Sequence, residues 1–263
     1  TMTGELADLF PDRASGVARI LDLLAEFLPR DRIAVYETNG GFLLVDVAKT
    51  SPDRVGSANW HATARYLALA LSDGLLLDIG STTTDVVPVV AGEIAARGST
   101  DAQRLATREL VYTGIVRTPL AAIAASVPFV GRDVAVMAEY FATAADIHRV
   151  TGTLPEGADL HTAADGRGKT PAESRARLAR MIGMDAAAAP DAAWHRLAQV
   201  FVRRQIGQIE AAVERVLSAI DLAPAAPIIG AGTGRFIAAE IARRFDQIGR
   251  ASWWGKVYIR VVG

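Results

Sequence analysis

Between Ala14 and Leu28 the apolar residues Val17, Ile20, Leu21, Leu24 and Leu28 recur at spacings of three and four, the period of a helix with one buried face. Pro11-Asp12 opens this helix and Pro29 stops it. Ile33–Glu37 and Phe42–Val45 read as short strands around an Asn39-Gly40-Gly41 turn, and Ala58–Leu71 as a second helix. The run Leu75–Ile79 is continuously apolar except for Asp78, the mark of a buried strand. Gly80–Thr84 turns it, Asp85–Val90 returns, and Glu93–Arg97 adds a third strand. Beyond Asp101 the pattern predicts helices over Ala102–Tyr112, Phe141–Thr151, Ala172–Ile182 and Ala192–Ile220, the last with a break near Gly207. Leu120–Ile123 and Val134–Met137 read as short strands, and the glycine-rich stretch 152–170 as a long loop or lid. Pro227–Ile229 is a strand joined by a glycine-rich link to a helix starting near Arg235.

Net charge changes this picture little. A formal charge of −1 gives no electrostatic reason to expect nucleic acid or an anionic membrane as partner, and no apolar run approaches the roughly 20 residues that span a bilayer. Of the 28 basic residues 25 are Arg and 3 are Lys, an excess that, with the many alanines, reflects base composition more than phosphate recognition. The absence of Cys removes disulfides, thiolate nucleophiles and Cys-bound zinc together. Four histidines, His61, His148, His161 and His195, show no i,i+4 pair, so a histidine metal site is not expected. No Ser-His-Asp pattern supports nucleophilic hydrolysis.

Two segments carry the chemistry. Asp78-Ile79-Gly80-Ser81-Thr82-Thr83-Thr84-Asp85 sits between two strands, and its glycine, amides and hydroxyls suit phosphate oxygens. Asp78, at the end of a buried strand, is the candidate ligand for Mg²⁺, directly or through water, and Asp85 could serve likewise or polarise a water. Gly230-Ala231-Gly232-Thr233-Gly234 is weaker alone, since such links often serve only close packing, and it lies too late for a dinucleotide fingerprint. Together the two loops suit a nucleotide or diphosphate. Arg97, Arg104 and Arg117 could contact such a ligand, and Asp165-Gly166-Arg167-Gly168 could close over it.

These residues resemble the hydantoinase A/oxoprolinase family of the actin, sugar-kinase and Hsp70 superfamily. Asp78–Asp85 is similar to its D-x-G-x-T-x-T-D phosphate loop, and Gly230–Gly234 to its adenosine-site glycines. The stretches Thr1–Asp8, Phe10–Arg13, Ala58–Ala64 (with Asn59, Trp60 and His61), Tyr112–Gly114, Arg117–Pro119 and Ala138–Thr143 resemble the branch that serves methanofuran-type cofactor biosynthesis.

The resemblance implies an α/β fold of two RNase H-like domains around a cleft. It also implies a cytoplasmic transferase that joins an aminomethylfuran-methyl diphosphate to a glutamyl-tyramine phenol with release of pyrophosphate. Mg²⁺ is the implied cofactor, the partners are these two small molecules, and a homo-oligomer is allowed. Glu5, Glu37 and Glu139 are the candidate bases for the phenolic proton, and Asn59, Trp60, His61 and Arg117 the candidate substrate contacts. An ATP-dependent hydantoinase- or oxoprolinase-like hydrolase is the alternative, and a non-catalytic sensor or scaffold of the same fold a second. The expected domains are 1–72, the end of a first domain whose opening glycine hairpin is missing, and 73–246, a second domain with a helical insertion. Residues 247–263 read as an atypical tail, either a strand or an unnatural junction. Without the hairpin, this stretch of chain is expected not to bind diphosphate or nucleotide with normal affinity.

Overall fold

A computed structural model describes residues 1–223 and 226–245. The expected tail, 247–263, lies outside the described residues. Contacts divide the chain into two interleaved units, Thr1–Leu76 with Val87–Glu109, and Leu77–Val86 with the chain from Leu110 onward. The division therefore falls within two strands and not at a single point near residue 72.

In the first unit, α1 (Arg13–Phe27) starts where the Asp12 side chain accepts from the Ser15 N–H, satisfying one of the amides a helix start leaves unpaired. β1 (Ala34–Tyr36) and β2 (Phe42–Leu44) pair antiparallel, Val35 opposite Leu43. Two short helices, α2 (Val45–Lys49) and α3 (Pro52–Val55), follow. Val17 and Leu21 of α1 pack with Met2, Ile33, Val35, Val45, Ala48 and Val55 in one apolar cluster. α4 (Asn59–Ala68) buries Trp60, Ala64 and Ala68, spaced by four.

The chain then runs through β3 (Gly74–Ile79), β4 (Thr84–Val90) and β5 (Glu93–Ile94). They lie in a five-stranded sheet of order β5-β4-β3-β9, in which β6 (Leu110–Val111) also pairs with β4 and β9 is Ile228–Ala231. Leu75, Leu76, Leu77 and Ile79 are fully buried, as the unbroken apolar run predicts.

α5 spans only Asp101–Thr107 and does not reach Tyr112. Arg108 takes the left-handed conformation, with φ 65°, and Glu109 is buried. The Glu109 carboxylate accepts from the N–H groups of Arg97 (2.6 Å) and Gly98 (2.8 Å) and from the Thr107 hydroxyl. A carboxylate committed to those amides stops the helix, and the next two residues enter the sheet.

In the second unit Leu120–Ile123, expected as a strand, is the helical turn α6, entered from Pro119. β7 (Ser126–Phe129) and β8 (Arg132–Ala135) form a hairpin with Ser126 opposite Ala135. α7 (Ala144–Val150) and α8 (Pro171–Arg180) both begin in capping boxes. α9 (Asp191–Leu217) is a continuous 27-residue helix, so the expected break at Gly207 does not occur. Trp194, Leu197, Phe201, Ile206, Ile209, Val213 and Val216 are buried along it, which outweighs the roughly 1 kcal/mol that one glycine costs a helix. Trp194 stacks on Phe129 at 4.6 Å among Ile147, Leu178, Met181, Leu197 and Phe201. α10 (Arg235–Arg244) follows β9.

The stretch 152–170 is a loop, but its Asp165–Gly168 part is held and not free to close. Arg177, fully buried on α8, donates to Asp146 (2.9 Å), Asp165 (3.0 Å) and the Gly168 carbonyl (3.0 Å). Among the described residues no helix is long and apolar enough to cross a membrane.

Candidate active site

Asp78 lies near the end of strand β3, half-buried, followed by a tight turn in which the Gly80 N–H donates to the Thr83 carbonyl at 2.8 Å. Ser81, Thr82 and Thr83 are half-buried, with the Ser81 and Thr82 hydroxyls 3.4 Å apart. Thr84 faces inward: it is fully buried and its hydroxyl donates to the Thr113 carbonyl at 2.7 Å. It is a strut of the loop, which leaves Ser81, Thr82 and Thr83 as the hydroxyls open to a ligand. Asp85 is buried in β4, in register with Leu110.

Two further segments dock on this turn. The Ile115 N–H donates to the Gly80 carbonyl (3.1 Å), and the Val116 and Arg117 N–H groups donate to the Ser81 carbonyl (3.0 and 2.9 Å). Such an approach requires Gly114, where an added Cβ would lie 2.5 Å from backbone atoms of Ser81 and Thr82. On the other side the Gly234 N–H donates to the Ile79 carbonyl at 2.8 Å, and a Cβ on Gly232 would lie 2.6 Å from the Asp78 carboxylate. The structure thus brings together Asp78, Gly80–Thr83, Gly232–Gly234 and the Arg117 backbone. Gly230, with Ala231 at the end of β9, serves packing, since its face lies against Ala238 of α10. Thr233 is exposed.

The remaining candidates lie elsewhere. In the first unit Glu5 is buried and accepts from the Ser57 hydroxyl at 2.7 Å, with its Oε2 lacking a hydrogen-bond partner. Glu37 is buried and ion-paired with Arg54. Trp60 is buried with the Arg104 guanidinium stacked 3.8 Å above its ring, and that guanidinium donates to the Glu109 carbonyl. Asn59 opens α4, half-buried. His61 is half-buried beside the Tyr36 hydroxyl (Nδ1 at 2.9 Å), and burial, with Arg65 and Arg104 adding, pushes its pKa below the ordinary value. Arg97 and, in the second unit, Glu139 are exposed.

Residues that composition and spacing did not single out support the loops from below. Gln205 of α9, fully buried, donates to the Gly114 carbonyl (2.8 Å) and the Thr113 hydroxyl (3.1 Å). Its amide oxygen is therefore left to accept from His148 Nε2–H at 3.0 Å, while His148 Nδ1 accepts from the Thr153 hydroxyl at 2.8 Å. Burial pushes the His148 pKa down to about 4, against a partly opposing hydrogen bond to the Gln205 amide oxygen. Neutral in the folded state, His148 is protonated in the unfolded chain below its ordinary value of 6.5. Between those two values the unfolded chain binds more protons, so stability falls as pH falls through that window. Chemical denaturation of the full-length protein should show a loss of about 2 kcal/mol from this group between pH 8 and pH 5. A His148→Gln variant should lose that part of the slope; identical slopes for the two proteins would refute the assignment. Four-residue spacing offers no hint of this chain of bonds, because its members come from α7, α9 and a loop.

Three comparisons bear on this geometry. The family model described as hydantoinase/oxoprolinase matches residues 1–262. The (4-{4-[2-(gamma-L-glutamylamino)ethyl]phenoxymethyl}furan-2-yl)methanamine synthase of Methanocaldococcus jannaschii is 36% identical over 185 residues, 70% of this chain and 56% of that protein. The enzyme of the same name from Methanococcus vannielii is 39% identical over 107 residues, 41% of this chain and 46% of that protein. The chain thus spans about half the length of the curated relatives it matches. Among solved structures, nucleotide-free acetone carboxylase shares the fold with TM-score 0.56 and 17% identity, over 86% of this chain and 33% of that one.

Proposed function

The chain belongs to the hydantoinase/oxoprolinase family, and from that premise we propose that the full-length protein is a transferase of methanofuran-type cofactor biosynthesis. It joins an aminomethylfuran-methyl diphosphate to the phenol of γ-glutamyltyramine. The observation that supports this reading most is the likeness to the two synthases.

In the proposed reaction the phenolic oxygen forms a bond to the furan-bearing CH₂ carbon. The bond from that carbon to the diphosphate oxygen breaks, pyrophosphate leaves, and the phenolic proton passes to a base. The turn receives the leaving diphosphate through the amides and hydroxyls of Ser81, Thr82 and Thr83, which act where negative charge grows. Among the described residues no group of three or more His, Asp or Glu could hold a metal by itself. Mg²⁺ does not need such a group, since it is commonly held by one or two carboxylates plus substrate phosphates. Asp78, near the end of β3, would hold it. When bound, Mg²⁺ would neutralise charge on the leaving diphosphate. Replacing Glu5, Glu37 and Glu139 in turn with Gln tests which of the three candidates serves as the base.

Incubating the full-length protein with the diphosphate, γ-glutamyltyramine and Mg²⁺ should release one pyrophosphate per ether formed. Mg²⁺-dependent hydrolysis of ATP with no ether product would overturn the reading in favour of an ATP-dependent hydrolase.

A further inference from the structure

We propose that a pocket beside the phosphate loop binds the carboxylate end of the acceptor, with the Arg117 guanidinium as its partner; the identity of the ligand rests on the transferase reading. The pocket has a volume of about 220 Å³ and its walls include Arg117, Tyr140, Asp146, Arg149, Asp159 and His161. One of its wall residues is tied to the turn: Arg117 donates its backbone N–H to the Ser81 carbonyl.

The charges in the walls select the ligand. Asp146 is consumed by Arg177 (2.8 Å) and by the Thr143 N–H (3.0 Å). Asp159 is consumed by Arg149 (2.6 Å) and Lys169 (3.3 Å). Arg149 is held in turn by Asp159 and by the Ser174 hydroxyl (3.0 Å). Arg117 is exposed, and its guanidinium makes no ion pair among the described residues. Arg117 is therefore the wall guanidinium without an ion-pair partner among the described residues, with His161 also exposed at the wall. One such cation suits one carboxylate, which a guanidinium grips with two parallel hydrogen bonds. Tyr140, 55% exposed, offers a ring face to the aromatic part of the acceptor.

Calorimetry on the full-length protein tests this with γ-glutamyltyramine and with tyramine, which carries the same phenol and no carboxylate. The wild type should bind the glutamylated ligand tenfold or more tightly than tyramine. Arg117→Gln should weaken γ-glutamyltyramine binding by about 10- to 100-fold, as loss of a charge-assisted hydrogen bond does, and leave tyramine binding alone. Arg117→Lys should recover part of the loss. Equal affinity of the wild type for both ligands overturns the proposal, as does an Arg117→Gln effect on the diphosphate alone. A transfer assay run beside it separates the two readings. Arg117-dependent binding without ether formation would sink the transferase and keep the pocket; ether formation with Arg117-independent binding would do the reverse.

Discussion

Asp78→Asn in the full-length protein should reduce turnover by about 10²- to 10³-fold, the scale on which removal of one preorganised electrostatic group is felt. The substitution keeps the side chain's size and removes its charge. A thermal melt run beside the kinetics separates loss of the charge from loss of the fold. Steady-state kinetics as a function of Mg²⁺ is the discriminating measurement. The proposed role requires kcat to fall and the Mg²⁺ concentration for half-maximal rate to rise, with the affinity for γ-glutamyltyramine unchanged. Retention of more than about a tenth of the wild-type kcat at the same Mg²⁺ dependence would remove Asp78 from the mechanism.

Gly232→Ala is expected to be the most damaging single methyl in the second unit. Two costs add at this position. The backbone has φ +75°, which an L side chain adopts at about 1–2 kcal/mol. The new Cβ would also lie 2.3 Å from the Ile79 carbonyl oxygen and 2.6 Å from the Asp78 carboxylate, so the link between β9 and α10 must lift off β3. Lifting it breaks the Gly234 N–H bond to Ile79. A loss of about 3 kcal/mol or more follows, together with loss of activity, because the atom displaced is the one proposed to face the metal. Gly157→Ala is the control: φ is +71° but nothing lies within 4 Å of its Cβ, so only the conformational cost applies. If the two variants lose equal stability in denaturant titrations, close docking at Gly232 contributes nothing.

Local pattern carried much of the fold. The α1 face, the buried strand β3 and the link into α10 were legible because each depends on neighbours in sequence: a 3.6-residue period, an unbroken apolar run, glycines between strand and helix. Leu120–Ile123 was not legible, since four apolar residues have too little length to show a period, and the fold makes them a helical turn. The end of α5 was hidden for a different reason. Its stop depends on the buried Glu109 carboxylate, whose partners Arg97 and Gly98 precede the helix. Gly207 misled because propensity counts a glycine without weighing the buried face around it.

The same division holds for the candidate site. The sequence by itself determined the chemical types: a carboxylate at a strand end, a glycine, a row of hydroxyls and a second glycine-rich link. Their local order suffices to place a glycine and a row of hydroxyls in one turn after a strand. Only the tertiary structure decided which of them share a place. It turned the Thr84 hydroxyl inward to Thr113, set Gly232 against Asp78, and clamped the turn from Gly114–Arg117 with Gln205 and His148 beneath. It also left Arg117 without an ion-pair partner among the described residues, in a pocket whose aspartates are already paired. The physical reason is that a hydrogen bond or an ion pair is spent once. Whether a side chain is available to a ligand depends on which distant residues the packing brings to it first, and sequence spacing does not record that.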